Sequence, residues 1–305
     1  MAGIAVALTP LFGFMSGVVN PDSMLFAVAA ALFYCLARGF RRGLTPALAV
    51  ALGAVTAVGS LTKLSFIGLV PGAFLGLLLL SARLARDSRR AAWRCFAIAC
   101  LIAAGPGILY ALHNALVGHA VLGAVSSTIA GTHLSLRELS YVWQLYLPPL
   151  PGMTRYFPGL LTTRTLWFDG FIGRYGWLDT TFPSWVYDAA LLPAAAIAAL
   201  CLRTLVRRRR ALHRRLGEIA VYALMMIGEL ALVAAASYRG FPALEAEFAE
   251  ARYLLPMLPL LAAVLVLAAR GAGRRWGPVV GAAIVGLFLA ADIFSELLSV
   301  SRFYG

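Results

Sequence analysis

Lys63 is the single lysine in a chain that carries 25 arginines. A composition this biased supplies arginine wherever any cation serves, so the lysine marks a position that asks for a compact ammonium. Such a group holds a phosphate as a point charge with three donors, which the flat guanidinium fork does not imitate. The plainer reading is a side chain that snorkels at a helix end. Arg252-Tyr253 follows the acidic run Glu245, Glu247 and Glu250 and precedes Pro256 and Pro259. Arg252 either pairs with one of those carboxylates or holds an anionic ligand, and Arg239 in Tyr238-Arg239-Gly240 is its weaker companion. Asp22, in Asn20-Pro21-Asp22-Ser23, reads first as a carboxylate at a helix N-terminus and second as an acid–base group. Asp169, and Asp179 close to Trp177, suit either contacts to sugar hydroxyls or the capping of short helices.

Other ionisable groups lie in apolar stretches: Asp188, Glu229, Asp292 and Glu296. Each costs about 2.5–3.5 kcal/mol at the centre of a membrane helix on insertion scales, so each needs a partner or a role. Glu229, deep in its segment, reads as protonated or hydrogen-bonded rather than catalytic. The histidines show no metal-ligand spacing, and no two of the four cysteines form a C-x-x-C pair. No metal motif, nucleotide fingerprint or nucleophile elbow is present, so the cofactor is left open.

The elements that must position these residues are membrane helices. The chain is 61% hydrophobic and only 13% charged, about half the charge of a soluble domain, and therefore needs lipid as solvent. Nine segments approach the roughly 20 apolar residues of a span: about 2–19, 22–38, 45–62, 64–81, 95–117, 185–206, 217–237, 253–269 and 277–298. The net charge of +13 is positional: 18 of the 26 basic residues fall in four short clusters, around Arg38–Arg42, Arg83–Arg94, Arg203–Arg215 and Arg270–Arg275. Nine crossings put all four on one face, which the positive-inside rule makes cytoplasmic. Nucleic acid is not the expected partner. The expectation is a single all-α membrane domain, 1–305, in which residues 118–184 form an extracytoplasmic loop. That loop carries Trp143, Trp167 and Trp177, with Trp185 at its end, and should hold short interfacial helices. Pro71, Pro106 and Pro193 should kink their helices.

Four stretches then carry a resemblance. They are Ser16-Gly17-Val18-Val19-Asn20-Pro21-Asp22, Leu61-Thr62-Lys63, Gly173-Arg174-Tyr175-Gly176-Trp177-Leu178-Asp179 and Ala251-Arg252-Tyr253-Leu254-Leu255-Pro256. Together, and in this order, they resemble a family of uncharacterised bacterial polytopic membrane proteins. That family is similar to the GT-C glycosyltransferases, such as protein O-mannosyltransferases and aminoarabinose transferases. The resemblance implies a plasma-membrane protein that takes a polyprenyl-phosphate-linked sugar and passes the sugar to an extracytoplasmic acceptor. It implies Asp22 as an acidic group near the acceptor, with Lys63, Arg252, Tyr253 and Arg239 around the lipid phosphate. Trp177, Asp179 and Asp169 would face sugar or acceptor.

It also implies that the principal acidic residues of the class precede Met1. No basic residue comes before Arg38, and the expectation is a chain that starts two or three helices into the fold and lacks its principal base. A transporter or flippase of a lipid-linked or anionic substrate is the main alternative, because intramembrane charges and broken helices also mark transport paths. A non-catalytic role in envelope assembly is the third.

Overall fold

A computed structural model describes residues 1–120, 135–156, 163–175, 180–244 and 250–304, with backbone alone for 239–244 and 303. It is helical almost throughout. In chain order the elements are α1 (Ala2–Ala7), α2 (Pro10–Gly17), α3 (Asp22–Arg42), α4 (Pro46–Thr62), a 3-10 turn (Leu64–Leu69), α5 (Val70–Leu84), α6 (Arg89–Leu116) and α7 (Leu136–Tyr146). A π turn (Thr165–Asp169) and α8 (Gly170–Gly173) follow, and then the two-residue strands β1 (Arg174–Tyr175) and β2 (Thr180–Thr181). The chain continues with α9 (Ser184–Arg207), α10 (Arg209–His213), α11 (Leu216–Leu244), a second 3-10 turn (Ala251–Met257), α12 (Leu258–Gly271) and α13 (Gly273–Tyr304).

Seven helices among the described residues are long and apolar enough to cross a membrane, so the protein is a polytopic integral membrane protein. Eight of the nine expected spans correspond to helices, with α4 slightly short at 17 residues. The ninth is corrected. Segment 2–19 breaks into α1 and α2, with Thr9 extended at φ −71°, ψ 119°. Pro10 is the cause, since its ring disfavours helical geometry in the residue before it and it has no N–H to donate. Pro106 and Pro193 lie inside helices, as expected. Pro71 instead opens α5, where a missing N–H costs nothing.

The helices gather into two compact units, one of residues 21–156 and 215–249, the other of 1–20, 157–214 and 250–305. The first unit is built on a hairpin. Gly43, at φ 85°, ends α3, and Thr45 caps α4 by accepting from the Leu48 N–H at 3.2 Å. The start of α3 and the end of α4 are thereby brought to one end of the hairpin. Arg83 lies over the Phe40 ring at 5.1 Å, so the first two arginine clusters meet at the opposite end.

Helix α11 packs against the 3-10 turn and α5 through a glycine stripe. A Cβ on Gly68 would meet the Glu229 backbone nitrogen at 2.9 Å, and one on Gly72 the Met225 nitrogen at 2.8 Å. One on Gly76 would come within 3.3 Å of Val221. Three glycines at spacing four thus face three residues at spacing four on an antiparallel helix, the small-residue packing by which membrane helices approach closely.

The second unit uses close glycine packing too. A Cβ on Gly271 of α12 would stand 2.1 Å from the Leu200 carbonyl oxygen of α9. Thr204 donates to the Leu267 carbonyl oxygen at 2.7 Å nearby. The arginine-rich ends of α9 and α12 therefore lie side by side. Ala5 of α1 packs with Leu265 and Ile284 in the core of this unit.

Candidate functional site

The hairpin determines which charges meet in the first unit. Asp22 stands in the first turn of α3, where the helix dipole favours a carboxylate, and Lys63 follows the last turn of α4, where it favours a cation. Because the two helices run antiparallel, these residues, 41 apart in sequence, form an ion pair. Asp22 does not act as an N-cap: the cap position belongs to Pro21, and no side chain accepts there. Its carboxylate is buried, with 5% exposure, and the Lys63 side chain keeps 27%.

From Lys63 the chain enters the 3-10 turn, whose Gly68 backbone rests on α11 at Glu229. Glu229 has no exposed surface, and neither of its carboxylate oxygens has a hydrogen-bond partner among the described residues. A Cβ on Gly68 would sit 2.6 Å from one of those oxygens. Lys63 lies within electrostatic reach of this carboxylate while bonded to Asp22.

Helix α7, one of the short helices expected in the aromatic loop, closes the other side of this polar group. Tyr146 donates to the Leu230 carbonyl oxygen at 2.8 Å, and Tyr141 shares a hydrogen bond of 2.7 Å with Ser237. Tyr141 also packs edge-on against Tyr238 and Tyr156, at 5.2 and 5.7 Å. Burial pushes the Tyr146 hydroxyl well above its ordinary range, with the Glu229 charge acting in the same direction, so the phenol stays a neutral donor. Gln144 holds the following loop, donating to Thr154 and accepting from the Tyr156 N–H at 3.1 Å.

The second unit holds its charges differently. Arg252 pairs with Glu250, its Nε 2.7 Å from a carboxylate oxygen, and its guanidinium lies 5.4 Å from the centre of the Tyr253 ring. Arg164 bridges two carboxylates, Asp169 at 3.3 Å and Asp188 at 2.6 Å. The Asp188 hydrogen bond, more than the Asp169 charge, holds the guanidinium protonated more firmly than usual. Asp169 is thus an ion-pair partner. A cavity of about 310 Å³ opens between α2 and α13, lined by Gly13, Phe14, Tyr175, Asp292, Ser295 and Glu296 among others. Tyr175, its ring tilted against that of Phe14 at 5.0 Å, donates to Ser295 at 2.7 Å, and burial raises its pKa.

Of the residues singled out from sequence, Asp22 and Lys63 come together in one unit, while Arg252, Tyr253 and Asp169 belong to the other. Trp177 and Asp179 lie outside the described residues, as does the side chain of Arg239. Sequence reasoning missed Arg164, which stands among the threonines of Thr162-Thr163-Arg164-Thr165, and it missed the part played by Tyr146. It also passed over Ser135-Leu136-Arg137-Glu138, a capping box whose Ser135 accepts from the Glu138 N–H at 3.1 Å and starts α7. No group of three or more potential metal ligands occurs among the described residues.

No curated protein and no solved structure matches the chain. Residues 1–261 match the family described as "Predicted membrane protein (DUF2142)", and with most of its length covered the chain belongs to that family of multi-pass membrane proteins.

Proposed function

We propose that the protein is a membrane glycosyltransferase-like protein that handles a polyprenyl-phosphate-linked sugar at the outer face of the plasma membrane, with its arginine-rich ends in the cytoplasm. The observation that carries this reading is the Asp22–Lys63 pair. It couples a buried carboxylate to the one ammonium of the chain at the end of a helical hairpin remote from the first two arginine clusters. An ammonium there stabilises a departing lipid phosphate, and a carboxylate beside it can take a proton from an acceptor hydroxyl. Within the other unit, Arg252 with its guanidinium over the Tyr253 ring is a cation of the kind that suits a phosphate, and Asp169 a candidate sugar contact. The aromatic α7, resting on α11, fits a lining for an amphipathic ligand.

Transfer of radiolabelled sugar from a polyprenyl phosphate by purified protein in proteoliposomes tests the reading. Transfer that falls at least about tenfold in Lys63→Ala supports it, since loss of one charge-stabilising donor typically costs 10²–10³ in rate. Transfer unchanged by Lys63→Ala contradicts the role given to Lys63. Translocation of the donor lipid without transfer would favour a flippase. That second reading draws on Glu229, a carboxylate buried in a span without a hydrogen-bond partner among the described residues, of the kind that marks transport paths.

A further inference from the structure

Nine arginines gather at one end of the second unit, six between Arg203 and Arg214 and three between Arg270 and Arg275. The packing of Gly271 on Leu200 and the bond from Thr204 to the Leu267 carbonyl oxygen, at 2.7 Å, hold the two groups side by side. Guanidinium groups at this density repel one another unless anions lie among them. The chain supplies none nearby in sequence: no aspartate or glutamate stands between Asp188 and Glu218, or between Glu250 and Asp292. Among the described residues none of the nine takes part in an ion pair.

Local structure turns four of them towards one place. Successive residues of a straight helix point about 100° apart, so four consecutive arginines would ring it. Instead α9 ends at Arg208, with φ −103° and ψ 17°, and α10 starts at Arg209. The Arg208 N–H still donates to the Thr204 carbonyl oxygen at 2.9 Å, which fixes the break against the α9–α12 contact. Arg207, Arg208, Arg209 and Arg210 consequently line a single open cavity of about 560 Å³. We propose that this end of the unit binds the headgroup of an anionic phospholipid, whose phosphates are the counterions that the chain itself does not provide.

The surroundings of the patch favour lipid over nucleic acid. Leu202 and Val206 are exposed apolar residues of the α9 span, and Trp276 is exposed beside Arg275, whose guanidinium lies 5.8 Å from the centre of its ring. Exposed apolar surface on a spanning helix faces hydrocarbon, and tryptophan sits at its boundary with the headgroups. Arginines that follow directly stand at the depth of the lipid phosphates, which a guanidinium grips with two parallel hydrogen bonds.

The inference is independent of the sugar donor and of any transfer activity, so its test reads lipid retention alone. Native mass spectrometry of the full chain, in detergent micelles that supply cardiolipin and phosphatidylcholine at equal phosphate, counts the lipids that stay bound. Wild type should retain cardiolipin in preference to phosphatidylcholine. Arg207→Gln, Arg208→Gln, Arg209→Gln and Arg210→Gln combined should lower that retention by about tenfold or more, since each cation near anionic lipid adds to binding. The same exchange at Arg86, Arg89, Arg90 and Arg94, a run interrupted by Asp87 in the first unit, should lower it by less than about twofold. Cardiolipin kept by the first variant, lost equally from both, or not preferred by wild type overturns the proposal. Displacement of the lipid from wild type at constant ionic strength by inorganic pyrophosphate, which marks a soluble-anion site, or by a DNA oligonucleotide also overturns it. The wild-type measurements carry the test even where a combined variant does not fold.

Discussion

The ion pairs of the two units differ in how far along the chain and on which kind of element their partners lie. In the second unit Arg252 takes Glu250, two residues away, while Arg164 takes Asp169, five away, and also Asp188, 24 away in α9. In the first, Arg215 and Glu218 pair three residues apart, but Lys63 reaches a buried carboxylate on a different helix. A local pair forms with little help from the fold. The Asp22–Lys63 pair exists only because a 21-residue helix turns at Gly43 and returns as a 17-residue one. A local pair therefore tells little about purpose, whereas a pair built by the tertiary structure from the chain's single lysine is the better candidate for function.

Substitutions can break or sharpen this contrast. The largest effect should come from Gly228→Val. A Cβ there would stand 2.1 Å from the Gly68 carbonyl oxygen, a backbone atom that cannot swing away. Overpacking of this kind costs about 1–3 kcal/mol and occasionally more, and should appear as a lowered thermal midpoint in detergent and as displacement of Glu229. Next is Lys63→Met, which removes the ammonium bonded to the buried Asp22 carboxylate. A loss of about 1–3 kcal/mol is expected, and a cycle with Asp22→Asn should show the double variant to be less destabilised than the sum of the singles.

Arg252→Ala should cost only about 0–1 kcal/mol in the same assay, because its pair with Glu250 is local and partly exposed at both ends. An equal loss at Arg252 and Lys63 would erase the distinction between the two regions. The smallest effect concerns the buried phenols. Tyr146 and Tyr175 keep their protons in the folded protein above pH 10, where the unfolded chain releases them. The stability they contribute is whole below pH 10 and drains away as pH rises beyond it. Tyrosinate absorbance should accordingly show a late-titrating fraction that Tyr146→Phe and Tyr175→Phe reduce.

The membrane class and eight helices were legible because length and hydropathy alone decide them. The break at Thr9-Pro10 was written in the sequence too, but averaging hydropathy over 2–19 hides a proline that contributes as an apolar residue. Lys63 stood out by composition and Asp22 by its place after Asn20-Pro21. Their pairing was not legible, since it depends on the turn at Gly43 and the relative lengths of two helices. The link from Lys63 to Glu229 was more remote still, although its signal is visible in retrospect in the glycine spacing of Gly68, Gly72 and Gly76. Arg164 gave no signal, because its partners, Asp169 in the π turn and Asp188 on α9, follow no periodicity along the chain.

The central claim is that Lys63 is where a lipid phosphate is held. Binding of a polyprenyl phosphate to the full chain in nanodiscs, compared between wild type, Lys63→Ala and Lys63→Arg, tests it most directly. The account predicts saturable binding by wild type, a loss of about tenfold or more in Lys63→Ala, and incomplete rescue by Lys63→Arg, because the guanidinium fork does not reproduce the compact ammonium. Binding of equal strength in all three proteins would contradict it.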